Sequence, residues 1–233
     1  MLLSVVIPAY NEASVIATTL RRVVSFLDQH YAGNFEIIVA DDGSLDSTAQ
    51  LVSTFQPVKL LPLPHRGKGA AVRSGVLAAQ GQVILFTDAD NSTDIDHLPA
   101  FLSALDRADI VIGSRQIAQA NVLVAQPWLK RTLGRLGNGL IRLLLVPGIS
   151  DTQCGFKMFR SSCRVLFQLQ TRDDWAFDFE LLFLARKKGL VISELPVRWV
   201  NNFASKVKPW SYITTLLAVF SVQYNYWTHR YKL

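Results

Sequence analysis

Short apolar runs alternate with longer helical stretches over residues 1–115, and this alternation constrains the fold more than any other feature of the chain. Each run is nearly continuous in Val, Ile and Leu, as in parallel strands that are covered on both faces. The predicted strands are Ser4–Pro8, Phe35–Ala40, Val58–Leu61, Val83–Thr87 and Asp109–Ile112. The helices predicted between them are Glu12–His30, Ser47–Phe55, Gly67–Gln80 and Asp94–Leu105. The pattern predicts an α/β fold with a doubly wound, mostly parallel sheet flanked by helices.

The second half of the chain is less regular. It contains a basic helix candidate with an apolar stripe, a loop, a short segment, a further helix and a late strand, followed by an uncharged segment over 209–228. The first five of these are predicted at Pro127–Val146, Ser150–Lys157, Arg164–Leu169, Ala176–Lys188 and Val191–Val200. We therefore expect a main domain over residues 1–208 and a C-terminal amphipathic helix over 209–233.

The composition excludes a disordered or fibrous protein. Hydrophobic residues make up 50 % of the chain and charged residues 18 %, against about 25 % charged in an average soluble domain. That balance indicates some apolar outer surface. The net charge of +6 favours an anionic partner, which can be a nucleic acid, a phosphorylated ligand or an acidic membrane face.

Cysteine usage and the N-terminus bear on the cellular compartment. Cys154 and Cys163 cannot form a disulfide framework, and no Cys/His pattern has the spacing of zinc ligands. Both features fit a reducing, cytosol-facing compartment. The first eight residues lack the basic start, long apolar core and cleavage site of a signal peptide, so they are interpreted as the first strand.

Polar residues follow the predicted strands, at the sheet edge where α/β proteins bind ligands. Asp88-Ala89-Asp90 comes directly after the most apolar strand. If the chain bends there, both carboxylates can reach one Mg²⁺ or Mn²⁺ ion that bridges a diphosphate. Acidic turns and helix caps have the same composition, so the motif alone also permits a purely structural reading.

Two further strand ends carry candidate binding residues. In Asp41-Asp42-Gly43-Ser44, a carboxylate can accept from a base N–H or a ribose hydroxyl, and the same residues can also form a turn. Lys68, in Gly67-Lys68-Gly69, can reach a phosphate from the first turn of its helix. The chain lacks a dinucleotide fingerprint after the first strand and a P-loop around Lys68, which argues against a dehydrogenase and an ATPase.

The motifs together resemble the family-2 glycosyltransferases of GT-A fold. The resemblance rests on the runs from Val5 to Glu12 and from Asp41 to Thr48, on Gly67-Lys68-Gly69, on Asp88-Ala89-Asp90 and on Gly113-Ser114-Arg115. Two later runs, Asp151–Lys157 and Trp175–Leu182, resemble the dolichyl-phosphate β-glucosyltransferases, which are relatives of dolichyl-phosphate mannose synthase. The similarity extends from Leu3 to about Lys206.

This resemblance implies a nucleotide-sugar donor, a divalent metal (Mg²⁺ or Mn²⁺) and a polyprenyl phosphate acceptor in a membrane. The metal–diphosphate would be held by Asp88 and Asp90, with Ser92 as the nearest further polar residue. The implied donor-binding residues are Pro8, Tyr10, Glu12, Asp41, Asp42, Lys68, Asp88 and Ala89. The implied acceptor-phosphate residues are Arg115 and Arg131, and the need for cations near an ionised phosphate adds Lys157 and Lys206.

Asp178 stands where alcohol-accepting relatives have their general base. A lipid phosphate is already ionised at neutral pH, since its second pKa is about 6, so it needs no strong base. Asp178 can therefore have another role, binding sugar hydroxyls or orienting an arginine. A role as general base is the remaining alternative. His65 is interpreted as a polar loop residue and Cys154 as a packed one, while Trp175 and Phe177 can be core or a sugar-stacking platform.

The leading prediction is inverting transfer of glucose from UDP-glucose to a polyprenyl phosphate. Mannose transfer from GDP-mannose is the near alternative. A non-enzymatic module that binds anionic polymers through Lys130, Arg131, Arg135 and Arg142 is the alternative from another class. Leu and Ile interleave with these cations where stacking aromatics would be expected for nucleic acid, so we expect no nucleic-acid partner.

Two apolar stripes predict an enzyme that lies on a membrane surface with its active site facing the cytoplasm. One stripe consists of Leu129, Leu133, Leu136, Leu140, Leu143 and Leu144, and the other of Ile213, Leu216, Leu217, Phe220, Tyr224 and Trp227. Apolar faces bordered by basic and aromatic residues suit a lipid interface. Each stripe can instead cover the α/β core, and the polar residues within 209–228 argue against a spanning helix.

Overall fold

The computed structural model describes residues 2–122, 137–200 and 211–233. Its strands are β1 (Leu3–Ala9), β2 (Phe35–Asp41), β3 (Val58–Pro62), β4 (Val83–Thr87), β5 (Ile110–Ser114), β6 (Asn121–Val122), β7 (Phe156–Arg160), β8 (Ile192–Pro196) and β9 (Arg198–Trp199). Its helices are α1 (Ile16–Tyr31), α2 (Thr48–Ser53), α3 (Lys68–Ala78), α4 (Leu98–Ala104), α5 (described over 137–144), α6 (Arg164–Leu169), α7 (Phe177–Lys187) and α8 (Ser211–Trp227). Short 3₁₀ turns precede α4 and α6.

Seven strands form one sheet in the order β3-β2-β1-β4-β7-β5-β8. All neighbours are parallel except β7, which is antiparallel to both β4 and β5. A small second sheet pairs β6 with β9. The predicted fold class and the first five predicted strands are confirmed, with boundary shifts of at most two residues.

Two predictions in the second half were wrong in detail. Phe156 and Lys157, assigned to a loop, begin β7, which inserts between β4 and β5. The predicted strand Val191–Val200 is split between the two sheets as β8 and β9. Of the predicted helix Pro127–Val146, residues 137–144 are helical, and residues 127–136 lie outside the described residues.

Side-chain alternation along the strands builds a hydrophobic core on each face of the sheet. Val5 and Ile7 of β1 pack under α1 and α4, whereas Val6 packs with α3, α6, α7 and α8. Helix α1 buries Ile16, Leu20, Val23 and Leu27, which recur at helical spacing. Helix α7 is buried over Phe177–Ala185.

The C-terminal helix α8 covers the same core as α7. Ala218, Val219 and Val222 are buried against it. Within the described ranges, no helix combines the length and the apolar character needed to cross a bilayer.

Candidate active site

A cavity of about 300 Å³ opens at the carboxyl ends of β1, β2 and β4. Its volume is at the lower end of the range for small-molecule sites. The lining residues are Pro8, Ala9, Tyr10, Glu12, Asp42, His65, Gly67, Lys68, Ala71, Asp88, Ala89, Asp90 and Trp175. The structure therefore brings together all the predicted donor-binding residues except Asp41, which is absent from this lining.

The chain bends sharply after β4. The prediction that Asp88 and Asp90 can reach one metal ion required such a bend. Asn91 adopts a positive φ of 51°. Asp90 accepts from the Ser92 amide at 3.0 Å, and the hydroxyl of Thr19 on α1 donates to the carbonyl of Ala89 at 2.7 Å. These contacts hold the two carboxylates at the cavity.

Lys68 neutralises Asp88 inside the cavity. Its Nζ lies 2.6 Å from Asp88 Oδ1 and 4.6 Å from the ring centroid of Trp175. Burial lowers the pKa of Lys68, but Asp88 and then Asp178 outweigh burial, so the pKa is raised above its usual value. Lys68 thus remains a fixed cation where a phosphate is expected to bind.

Gly155 leaves room for the Asp88 carboxylate, a role that the sequence did not reveal. The Gly155 carbonyl accepts from the Asp88 amide at 3.1 Å. A Cβ at position 155 would lie 1.8 Å from Asp88 Oδ2, well inside van der Waals contact. Only glycine fits here without displacing the carboxylate.

The donor chemistry of the cavity suits a divalent cation that is shared with a ligand. Asp88 and Asp90 offer hard carboxylate oxygens, as Mg²⁺ and Mn²⁺ prefer. Among the described residues, no group of three or more His, Cys, Asp or Glu side chains could hold a metal by itself. The site therefore fits an ion held by one or two carboxylates together with substrate phosphates, a common arrangement for Mg²⁺.

Asp41 and Asp42 have different structural roles. Asp42 accepts from the backbone amides of Arg66 and Gly67, both at 2.9 Å, and from His65 Nδ1 at 2.8 Å. Asp41 accepts from the amide and the hydroxyl of Ser44, whose oxygen in turn accepts from the Asn11 amide. Both aspartates therefore shape the loops of the cavity.

His65 is a loop residue, as predicted, and it also lines the cavity. Its ring stacks on Tyr10 with centroids 4.0 Å apart and an interplanar angle of 15°. Because Asp42 holds its Nδ1, the imidazole fixes the orientation of the Tyr10 ring. The sequence showed a histidine after β3 but could not show this stacking.

Trp175 and Phe177, whose roles the sequence left open, have different environments in the structure. Trp175 is 47 % exposed and lines the cavity. Phe177 is fully buried in the core. Cys154 is buried too, and its pKa is raised to about 11 by burial, so this thiol is packed rather than ionised.

A buried ion pair lies close to the Lys68–Asp88 pair. Lys157 Nζ, on β7, donates to Asp178 Oδ1 of α7 at 2.6 Å and to the Cys154 carbonyl at 2.6 Å. Both side chains are almost fully buried. Burial raises the pKa of Asp178, against the effect of Lys157 and Lys68. The cation that Asp178 orients is therefore a lysine and not an arginine.

Arg115 is held by Asp151, the first residue of the run Asp151–Lys157 that follows α5. Its guanidinium forms two hydrogen bonds to Asp151, at 2.7 and 3.0 Å, and lies 5.5 Å from the ring centroid of Trp199. Burial raises the pKa of Asp151, but Arg115 outweighs this and lowers it. Glu194 of β8 accepts from the amides of Ser150 and Asp151, which fixes the motif to the sheet. Arg131 and Lys206 lie outside the described residues.

Comparison with known protein sequences finds a matching family model and similar enzymes. The family model described as Glycosyl transferase family 2 matches residues 4–167. The dolichyl-phosphate beta-glucosyltransferase of Drosophila melanogaster is 38 % identical over 96 % of this chain and 75 % of its own length. The human dolichyl-phosphate beta-glucosyltransferase is 32 % identical over 99 % of this chain and 78 % of its own.

Solved structures share the fold at low sequence identity. Mannosyl-3-phosphoglycerate synthase from Rubrobacter xylanophilus superposes with a TM-score of 0.74 at 16 % identity, covering 100 % of this chain and 76 % of that one. Glucosyl-3-phosphoglycerate synthase from Mycobacterium tuberculosis, solved with Mn²⁺, UDP and glucosyl-3-phosphoglycerate, gives 0.67 at 20 % identity, covering 94 % and 79 %. At these identities the likeness is one of overall fold.

Proposed function

Since the chain belongs to glycosyl transferase family 2, and within it to the dolichyl-phosphate beta-glucosyltransferases, we propose that it transfers glucose from UDP-glucose to a polyprenyl phosphate, with inversion at the sugar. The observation that carries this proposal is the cavity in which Lys68, Asp88 and Asp90 meet at the carboxyl edge of the sheet. The glucosyltransferase activity follows from the family. The donor, the metal and the membrane are the parts that we add.

The donor is expected to bind with its diphosphate between Lys68 and the two carboxylates. Asp88 and Asp90 would hold a Mg²⁺ or Mn²⁺ ion, which when bound supplies positive charge to the leaving diphosphate. Lys68 adds a second cation from the opening turn of α3, and Tyr10 stacked on His65 forms the wall at the end of β1. These fixed charges stabilise the leaving group as its negative charge grows.

The chemical step is a direct displacement at the anomeric carbon. An ionised phosphate oxygen of the lipid forms the new bond to that carbon, and the bond to the UDP oxygen breaks. An α-linked donor therefore gives a β-linked product. No proton is transferred, because the attacking oxygen is already ionised. The buried Asp178–Lys157 pair is then an electrostatic support for the cavity, and we assign the acceptor phosphate to Arg115, with Arg131 and Lys206 as further cations.

A labelling experiment tests this function. The protein is incubated with UDP-[¹⁴C]glucose or GDP-[¹⁴C]mannose, together with dolichyl phosphate, undecaprenyl phosphate or unphosphorylated dolichol. We expect label in the lipid extract with UDP-glucose and a lipid phosphate, and none with dolichol, which lacks the attacking oxygen. Transfer from GDP-mannose alone would support the alternative donor. Salt-sensitive binding of anionic polymers without any sugar transfer would support the binding module instead.

We infer that the C-terminal segment, residues 209–233, seats the enzyme on a membrane. One face of α8 exposes Leu217, Phe220, Tyr224 and Trp227, each between 58 and 69 % exposed, at helical spacing. The opposite face packs on the core through Ala218, Val219 and Val222. The alternative that the stripe covers the core is therefore wrong for its four described residues, which are exposed. The side chains of Ile213 and Leu216 lie outside the described residues.

Neighbouring residues extend this apolar face. Gln223 of α8 donates to the Leu144 carbonyl at 3.4 Å, which places the end of α5 beside α8. Leu143 and Leu144 are exposed there, as is Arg142. Apolar side chains next to basic ones suit an anionic lipid surface, and the proposed acceptor is itself a lipid phosphate. Leu129, Leu133 and Leu136 of the first stripe lie outside the described residues.

Replacing Phe220 with serine tests the membrane contact. Full burial of such a side chain contributes about 1.5–3 kcal/mol, so we expect binding to anionic vesicles to fall roughly tenfold. The matched control is Val191→Ser, an exposed apolar residue near β8. Vesicle flotation measures the effect. A protein that never floats at low salt would contradict the membrane contact, and one that resists carbonate extraction would have an inserted helix.

We also place the active site on the cytoplasmic side of that membrane. Cys154 and Cys163 are both free and buried, which is compatible with a reducing compartment. Burial raises the pKa of Cys163, like that of Cys154, to about 11.

A further inference from the structure

The third residue from the C-terminus is one of the largest fully buried side chains that the structure describes. Tyr231 is 1 % exposed, whereas Lys232 and Leu233 on its far side are exposed. Its hydroxyl donates to Glu180 of α7 at 2.8 Å. Burial, reinforced by the neighbouring Glu180, raises the pKa of Tyr231, so the hydroxyl keeps its proton at physiological pH.

Glu180 is a fully buried carboxylate that serves as a hydrogen-bond hub. Besides Tyr231, it accepts from the amides of Thr171 and Arg172, both at 3.0 Å, and from the Thr171 hydroxyl at 2.5 Å. Asn225 of α8 donates to the same Thr171 hydroxyl at 3.2 Å. Among the described residues, no lysine or arginine forms an ion pair with Glu180. Two points of the C-terminal segment are thereby joined to the start of the loop 170–175.

The loop 170–175 also packs against the start of α3 and contributes Trp175 to the cavity lining. Its Asp173 carbonyl accepts from the Ala70 amide at 3.2 Å, and Gln170 donates to the Gly69 carbonyl at 2.9 Å. A Cβ at Gly69 would lie 2.7 Å from the Arg172 carbonyl oxygen, so the loop and the start of α3 are in close contact. The loop ends at Trp175, whose ring lies against Lys68.

We infer that Tyr231 and Glu180 are positioning residues for the donor: through the loop 170–175, the C-terminal segment sets Trp175 and Lys68 in the cavity. This inference rests on the proposed function in that the cavity is taken to bind the UDP moiety. Neither residue lines the cavity, so their effect passes through the loop. A hydrogen bond to a carboxylate is strong enough to shift the equilibrium of a loop about tenfold or more.

The test is the variant Tyr231→Phe in the full chain, which removes one hydroxyl and keeps the ring. We expect the Kd for UDP, measured by calorimetry without lipid, to rise about tenfold. We also expect faster hydrogen exchange at the amides of 171–175, with exchange in β1 unchanged. The matched control is Tyr31→Phe, a partly buried tyrosine of α1 on the opposite side of the sheet, for which neither quantity should change.

Thr171→Val tests the same network from its other end, and it carries the test if Tyr231→Phe fails to fold. It should weaken UDP binding in the same direction, and the double variant should lose less than the product of the two single losses. Unchanged UDP affinity and unchanged exchange at 171–175 in both variants would overturn the inference. A wild-type protein that binds no UDP would instead refute the proposed donor, while the exchange measurement would still decide whether Tyr231 holds the loop.

Discussion

Replacing Asp88 with asparagine is expected to lower glucosyl transfer by about a thousandfold or more while the protein stays folded. Asp88 pairs with Lys68 at 2.6 Å and has no room to move on the side of Gly155. The change removes one negative charge from the proposed metal–diphosphate site and leaves Lys68 without its partner. Losses of 10²–10³ follow removal of a single electrostatic group, and loss of the metal adds to this. Initial rates with UDP-glucose and dolichyl phosphate measure the effect.

The controls separate metal binding from folding. Asp106→Asn, an exposed carboxylate after α4, should leave the rate unchanged. EDTA should abolish transfer by the wild-type protein, and Mn²⁺ or Mg²⁺ should restore it. Manganese binding followed by electron paramagnetic resonance should weaken in Asp88→Asn and in Asp90→Asn. Full activity in EDTA would show that the carboxylates have a role other than holding a metal.

Replacing Lys157 with methionine is expected to destabilise the protein by about 3–5 kcal/mol, because Asp178 is left as an unpaired buried carboxylate. Both side chains of the pair are almost fully buried, and Lys157 Nζ lies 2.6 Å from Asp178 Oδ1. In a domain of this size, such a loss lowers Tm by about 10 °C. Thermal unfolding followed by circular dichroism measures it. Lys59→Met, an exposed lysine on the edge strand β3, is the control and should shift Tm little.

The double variant Lys157→Met with Asp178→Leu distinguishes stability from function. Replacing a whole buried ion pair with apolar residues is often neutral, so most of the lost Tm should return. We expect transfer to remain at least about a hundredfold below wild type, because Asp178 and Lys157 contribute charge beside Lys68 and Asp88. Recovery of both stability and activity would show that the pair has only a structural role.

The regular part of the fold could be predicted because its strands carry their own signal. In β1, β2 and β4, nearly every side chain is apolar, and both faces of the sheet are covered. Strand β7 was not predicted because it contains Lys157 and ends at Arg160, and charged residues of this kind are typical of loops. The charge of Lys157 is acceptable in the sheet only because Asp178, on α7, lies opposite it.

The sequence by itself determined the α/β architecture and the place of the candidate site. Parallel strands end at one edge, so polar residues after β1, β2 and β4 had to meet there, whatever their detailed contacts. Its motifs also determined the family. It could not decide between a turn role and a binding role for Asp42, show the stacking of His65 on Tyr10, or reveal that Gly155 borders Asp88.

Those features were decided only by the tertiary structure, because each depends on contacts between residues far apart in the chain. Gly155 is 67 positions from Asp88 and Tyr231 is 51 positions from Glu180, and no local pattern records either contact. Hydrophobic periodicity reports whether a residue is buried, which is a property of its own helix or strand. Which partner a buried glycine, carboxylate or hydroxyl meets is set by how the elements pack on one another.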